Sequence, residues 1–373
     1  MRIALIIDNL AGGGAEQAFI RIAQALRTQG ADAHILLLED HREHRVPDDV
    51  PVHAALSHAR LSRSWQGKHI AAFALRRLHA RLERDGAFDL AVTTLTTADE
   101  VARLAGIPRL WHRIANTLSM HVAYLAKYNT AKAGRRIDRF HKIYGNANLI
   151  AISHGVAQDL WETLRIDACC IEVIPNPFDL EAIRAAAQAP TALPPEPYLL
   201  HVGRMHPQKR HDLLLDAFQA LDFDGKLVLL TKPSMTLTSM IHARGLEERV
   251  LLPGFQQEPY PWIANARLLV LSSDWDGLSN VLIEALALGM PAVSTDCPSG
   301  PAEILRGELS DFLVPTGDAT ALADAMHRAL VHYPEIPGSL FDPFLPAAVS
   351  QRYLDLAAPP SHSPSRERGS TLS

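Results

Sequence analysis

The chain has 373 residues, 47% of them apolar and 21% charged, with a formal net charge of −5. That length holds two domains, each with its own core, and the balance is that of a soluble globular protein rather than a disordered or membrane-spanning one. Its three cysteines, Cys169, Cys170 and Cys297, suit neither a disulfide framework nor a four-ligand zinc site.

The first apolar run, residues 3–7, stops at Asp8 and passes into a glycine cluster, so it reads as a buried strand and not as a signal peptide. The chain is therefore expected in the cytoplasm. A helical pattern over 15–29 follows, then a strand over 33–38, a basic helix over 70–84, and strands over 90–94, 149–153 and 171–174. This alternation predicts an α/β domain, a parallel sheet covered by helices. Residues 51–150 hold 16 Lys/Arg against 6 Asp/Glu, among them Arg76, Arg77, Arg81, Lys132, Arg135, Arg136, Arg139 and Lys142. The excess fits an anionic membrane, an anionic acceptor or a plain solvated helix face. No DNA-binding pattern accompanies it, so nucleic acid is not an expected partner.

Pro175-Asn176-Pro177 leads into an Ala/Pro-rich stretch, and residues 181–197 are the expected linker. From Tyr198 the pattern restarts: strand 199–202, helix 211–221, strands 227–230, 250–252 and 268–271, helix 278–288 and strand 292–294. A second doubly wound domain is predicted. A last helix covers 349–356, and the Ser/Pro/Arg-rich tail, 359–373, is expected to be disordered.

Ligands of open parallel sheets gather at the carboxyl ends of the strands, which singles out three loops. Gly12-Gly13-Gly14-Ala15-Glu16 follows the first strand, and its bare backbone lets amides approach a phosphate or sugar. Arg204 and Lys209 leave the strand at 199–202 together; they either converge on a diphosphate, as a forked donor beside a point charge, or are solvated surface cations. In Asp274-Trp275-Asp276-Gly277-Leu278-Ser279, Gly277 marks a strand-to-helix turn, and the amides of Leu278 and Ser279 would open a helix that accepts the same diphosphate. Eight residues after Asp276, Glu284 is the only charge in an apolar helix; it needs either sugar hydroxyls or a neighbouring cation.

The segment from Asp276 to Glu284 resembles the acidic-x7-Glu signature of the retaining glycosyltransferase family 4, a group with the GT-B fold of two facing Rossmann-like domains. Ser272-Ser273, the runs 284–291 and 295–301, His201-Val202-Gly203-Arg204 with Lys209, the glycine loop, Pro175-Asn176-Pro177 and Arg352-Tyr353-Leu354 fit that family too. The likeness runs over nearly the whole chain up to residue 357. It implies an acceptor-side domain at 1–180, a nucleotide-sugar domain at 198–345 and a helix at 346–358 that returns toward the first domain. By the same resemblance, Arg204 and Lys209 bind the donor diphosphate and Glu284 the ribose. Asp276, with the backbone of Gly277, Leu278 and Ser279, takes the transferred sugar and phosphates, while Gly12, Gly13 and Gly14 close over the donor.

The implied reaction is transfer with retention, by family habit from a UDP-sugar, to a glycan or lipid-linked saccharide in polysaccharide or lipopolysaccharide synthesis. No cofactor beyond the donor is implied, and the enzyme is expected in the cytoplasm or on the cytoplasmic face of the inner membrane. Two positions depart from the family: Asp276 stands where Glu is usual, and Ala115 where many members carry His. Polar help near the anomeric carbon is then expected from Asn116 or His121. Asp274-Trp275-Asp276 also spells the D-x-D metal motif of another glycosyltransferase fold. Asp276 already opens the x7 signature, however, and Arg204, Lys209 and a helix N-terminus suffice to neutralise a diphosphate, so no metal is expected. A catalytically silent donor-binding relative is the first alternative. An NAD-dependent oxidoreductase is the second; Glu39-Asp40 ends the second strand as it would require, but Gln17 stands where the third glycine should be.

Overall fold

The computed structural model describes residues 1–57 and 64–358, so the tail expected to be disordered lies outside the described residues. The first sheet has seven parallel strands, β1 (Arg2–Ile7), β2 (Asp32–Glu39), β3 (Val52–Leu56), β4 (Leu90–Thr94), β5 (Leu110–Ile114), β6 (Asn148–Ala151) and β7 (Cys170–Val173). They lie in the order β3-β2-β1-β4-β5-β6-β7. The second sheet has β8 (Tyr198–Val202), β9 (Lys226–Leu230), β10 (Val250–Leu251), β11 (Leu268–Leu271), β12 (Ala292–Thr295) and β13 (Leu313–Val314), in the order β10-β9-β8-β11-β12-β13. Both sheets are therefore doubly wound. Strand order reverses between β1 and β4 in the first and between β8 and β11 in the second.

Between the strands of the first sheet run α1 (Gly14–Thr28), α2 (Trp65–Leu82), α3 (Thr96–Ala105), α4 (Leu118–Ala126), α5 (Thr130–Tyr144) and α6 (His154–Gln158). After α7 (Leu180–Ala186), the second domain adds α8 (His211–Ala220), α9 (Met235–His242), α10 (Tyr260–Ala264), α11 (Asn280–Ala287), α12 (Pro301–Ile304) and α13 (Ala319–Val331). The chain then runs into α14 (Pro346–Ala357).

Local sequence explains these elements well where apolar residues dominate. Residues 3–7 of β1 are fully buried, and α1 turns Phe19, Ile22, Ala23 and Leu26 onto the sheet, with Glu16 in its first turn and Arg27 in its last to match the helix dipole. The start of α2 at Trp65 precedes the pattern read from sequence because Ser64 caps it, its Oγ accepting from the Gly67 amide at 2.9 Å. The stretch read as a linker begins inside α7, which Asp179 caps and which buries Ile183. Val349, Tyr353 and Ala357 of α14 pack with Ile3, Phe19 and Ile22, so the end of the described chain contributes to the core of the first domain.

Candidate functional site

The second switch point is stitched together by its two loops. After β8, Pro207–Lys209 form a single 3-10 turn; after β11, Asp274 donates its amide to the Gln208 carbonyl at 2.8 Å, and Gln208 Nε2 donates to the Trp275 carbonyl at 2.7 Å. Ser272 Oγ donates to the Lys209 carbonyl at 2.8 Å. This lacing sets Lys209 Nζ against Asp276 Oδ2 at 2.9 Å. The same oxygen accepts from Ser279 Oγ at 3.0 Å, and Oδ1 accepts from the Gly277 amide at 3.0 Å. Burial alone would push the Asp276 carboxyl up; the charge and hydrogen bond of Lys209, with Gly277 and Ser279, outweigh it and hold it below the usual carboxylate value.

Arg204 shares the strand end with Lys209 but not its partner. Its guanidinium is exposed, and among the described residues it has no hydrogen bond or ion pair. Glu16 of α1 feels its charge: burial pushes the Glu16 carboxyl up and Arg204 opposes the shift. Asp274 pairs with Arg210 at 2.9 Å, so each carboxylate of the D-x-D triplet faces a cationic side chain.

The helix after this loop begins at Asn280, two residues later than the sequence pattern suggests. Leu278 and Ser279 lie ahead of it, and the Ser279 hydroxyl turns to Asp276 instead of capping the helix. Its first free amides are those of Asn280 and Val281. Glu284, on the next turn, has a side chain only 9% exposed and is held by Arg21 of α1 at 2.8 Å. The Arg21 guanidinium also donates to the Tyr260 hydroxyl at 2.8 Å and lies 5.2 Å from the Phe178 ring centroid. Arg21 was not among the residues singled out from sequence; its one signal is a cation between buried Ile20 and Ile22, two turns past the glycine loop.

The first domain closes on the same spot. A Cβ on Gly277 would lie 2.4 Å from the Ala115 carbonyl oxygen, so only glycine lets the loop pass beneath β5. Thr117 Oγ1 donates to the Asp276 carbonyl, Ser153 Oγ to the Gly277 carbonyl at 2.8 Å, and Asn176 Nδ2 to Asn280 Oδ1 at 2.6 Å. Arg113, 1% exposed, donates to Asn176 Oδ1. Gly14 approaches the Asn280 side chain, while Gly13 caps α1 from an extended conformation. Of the two polar groups expected to compensate for Ala115, Asn116 spends its Oδ1 on the Thr117 amide at 2.9 Å. His121 is half-buried on α4; burial, then the charges of Arg136, His206 and Lys132, hold it below its usual pKa and hence neutral near pH 7.

Residues 12–182 match a family model described as Glycosyltransferase Family 4, and residues 196–332 one described as Glycosyl transferases group 1. Over 334 residues, 88% of this chain and 90% of the other, the chain is 27% identical to the N-acetylgalactosamine-N,N'-diacetylbacillosaminyl-diphospho-undecaprenol 4-alpha-N-acetylgalactosaminyltransferase of Campylobacter jejuni. It is 30% identical to the lipopolysaccharide 1,6-galactosyltransferase of Escherichia coli K12 over 208 residues, 51% of this chain and 56% of that enzyme. Among solved structures, Anabaena Alr3699/HepE in complex with UDP superposes with a TM-score of 0.70 at 18% identity, covering 95% of this chain and 99% of that one.

Proposed function

Since this chain is a glycosyltransferase of the GT-B fold, we propose that it transfers a sugar, with retention, from a UDP-sugar to a glycan or lipid-linked saccharide, in the manner of family 4 and without a metal. The observation that carries this reading is the pairing at the second switch point: Asp276 on Lys209 at the mouth of α11, and Glu284 on Arg21 inside it. Two carboxylates, each paired with a cation beside free helix amides, and an Arg204 without an ion pair among the described residues offer hydroxyl acceptors and diphosphate donors side by side. The diphosphate takes Lys209, Arg204 and the amides of Asn280 and Val281; Glu284 takes the ribose; Asp276, released by Lys209, turns to the sugar. The bond from the anomeric carbon to the diphosphate breaks, the acceptor oxygen bonds on the same face, and a phosphate oxygen of the leaving group takes the acceptor's proton. The HepE complex with UDP and the polyprenyl-linked and lipopolysaccharide reactions named for the relatives support the choice of donor and acceptor class.

Melting curves with UDP and with a panel of UDP-sugars test the reading. A true ligand at 100 times its Kd stabilises by about 2.7 kcal/mol, a clear rise in Tm. UDP released from one UDP-sugar without acceptor would exclude a silent binding relative. A chain that neither melts higher with UDP nor releases it is not this enzyme.

The acceptor class also gives the basic helices a purpose. Ile70 and Phe73 of α2 are about half exposed, with the Arg76 and Arg77 guanidinium groups each 5.7 Å from the Phe73 ring centroid. Among the described residues no helix is long and apolar enough to cross a membrane. The proposed contact is peripheral: apolar tips in the headgroup layer, arginines on anionic lipid. The chain is expected to co-sediment with phosphatidylglycerol vesicles at low salt and to leave them as salt rises. Reversing Arg76 and Arg77 to Glu should weaken this by about 1 kcal/mol per removed charge or more. Failure to sediment at low salt would make α2 a solvated face.

A further inference from the structure

The second domain places its proposed donor cluster where strand order reverses, and ligands of open parallel sheets bind in the crevice at such a point. The first sheet has an equivalent crevice between β1 and β4, and the residue that leaves β1 there is Asp8. Its carboxyl reaches across to the start of α3, where the Thr97 hydroxyl and Ala98 amide approach it. Its Oδ1 is nevertheless buried with no hydrogen-bond partner among the described residues. The neighbouring Asp99 is fully occupied: Thr93 Oγ1 donates to one oxygen at 2.5 Å, the Tyr144 hydroxyl to the other at 2.7 Å, and His112 Nδ1 lies 2.7 Å from the Thr93 hydroxyl. That network accounts for Asp99 and leaves Asp8 unexplained. The chain from Asp8 turns at once, Asn9 Oδ1 accepting from the Ala11 amide at 2.9 Å, into the loop that brings Gly14 against Asn280 at the mouth of α11.

We infer that Asp8 is an acceptor-binding residue, its carboxyl taking a hydrogen bond from a hydroxyl of the acceptor saccharide seated in the first domain's crevice, across the glycine loop from the donor. The inference rests on the reading above in taking the acceptor to be a saccharide. Burial first, then the charge of Asp99 and more weakly that of Glu39, push the Asp8 carboxyl up to about 7 against the Ala98 amide and Thr97 hydroxyl. Acceptor binding should therefore strengthen as pH rises through neutrality, where the carboxylate forms. The stability sign is the reverse. Because the folded-state pKa lies above the unfolded one, the stability that protonated Asp8 contributes in acid is lost as pH rises toward 7.

The test is saturation-transfer NMR of the UDP-bound protein with p-nitrophenyl glycosides of glucose, galactose, N-acetylglucosamine and N-acetylgalactosamine, below and above neutral pH, on wild type and Asp8→Asn. Wild type should engage at least one glycoside, more tightly at the higher pH. Asp8→Asn should weaken that binding by about tenfold or more and flatten its pH dependence. UDP affinity should be unchanged and the alkaline Tm no lower than that of wild type. A plain cap on α3 would instead show a lower Tm with unchanged glycoside binding, which overturns the inference. So does wild type engaging none of the glycosides, or a variant that loses UDP affinity as well. Wild type that binds no UDP refutes the donor reading separately; the same glycoside titration on UDP-free protein still decides Asp8.

Discussion

Lys209→Ala is expected to lower UDP affinity by about 2 kcal/mol or more, roughly thirtyfold, because it removes a charge-assisted contact to the diphosphate. Lys209 lies 2.9 Å from Asp276, with the two side chains only 18% and 16% exposed, so the diphosphate competes with Asp276 for one ammonium group. Removing Asp276's charge should act in the opposite sense on binding. Asp276→Asn should leave UDP affinity intact or slightly raised while transfer falls, since the lost charge acts on the sugar. Titration calorimetry with UDP and with the intact donor separates these effects, and Lys209→Ala binding UDP as wild type does would remove Lys209 from the diphosphate site. Asp276→Glu adds the methylene usual in family 4; a change in rate or donor choice would make the shorter acid a tuned sugar contact. If the Glu and Asn variants are both silent, Asp276 serves only to hold the Gly277 turn.

Arg21→Ala should be the most destabilising of the changes considered, because it strands Glu284 in a nearly closed site. Breaking a buried pair by removing one partner costs about 3–5 kcal/mol. Here Arg21 is 21% exposed and the Tyr260 hydroxyl remains nearby, so about 3 kcal/mol is the expected loss. The double variant Arg21→Ala, Glu284→Gln should recover much of it, since no charge is left stranded; thermal melts of wild type, the two single variants and the double form the cycle. UDP should raise the Tm of Arg21→Ala by more than it raises that of wild type, because ribose hydroxyls would supply the partner that Glu284 lost. An Arg21→Ala protein that melts with wild type would show that Glu284 is satisfied without it. Glu284→Gln on its own should weaken UDP binding and slow transfer together, in contrast to Asp276→Asn.

What the sequence determined by itself was the architecture. Strands such as residues 3–7 and 268–271 are unbroken apolar runs, because helices cover both faces of a parallel sheet; the alternation with helices then leaves a doubly wound fold as the economical solution. Lys209 and Asp276 could be singled out because they lie in loops that leave the carboxyl ends of strands, where ligands of such sheets bind, and Glu284 because it is the one charge in an apolar helix. The β5 strand was not legible. It reads Leu-Trp-His-Arg-Ile, and the burial of His112 and Arg113 depends on Thr93, Asp99 and Asn176, none of which is a sequence neighbour. The start of α11 falls later than the sequence pattern suggests for a similar reason: the Ser279 hydroxyl answers to Asp276, and Gly277 to Ser153 and Ala115, so that only the Ser279 carbonyl enters the helix. Arg21 lies 263 residues from Glu284, and Asp8 gains its setting only because β1 and β4 are adjacent. Periodicity records which side of an element faces a core. Only strand order and the closing of one domain on the other decide which strand ends and side chains meet, and those contacts are set by packing between distant segments that no local pattern encodes.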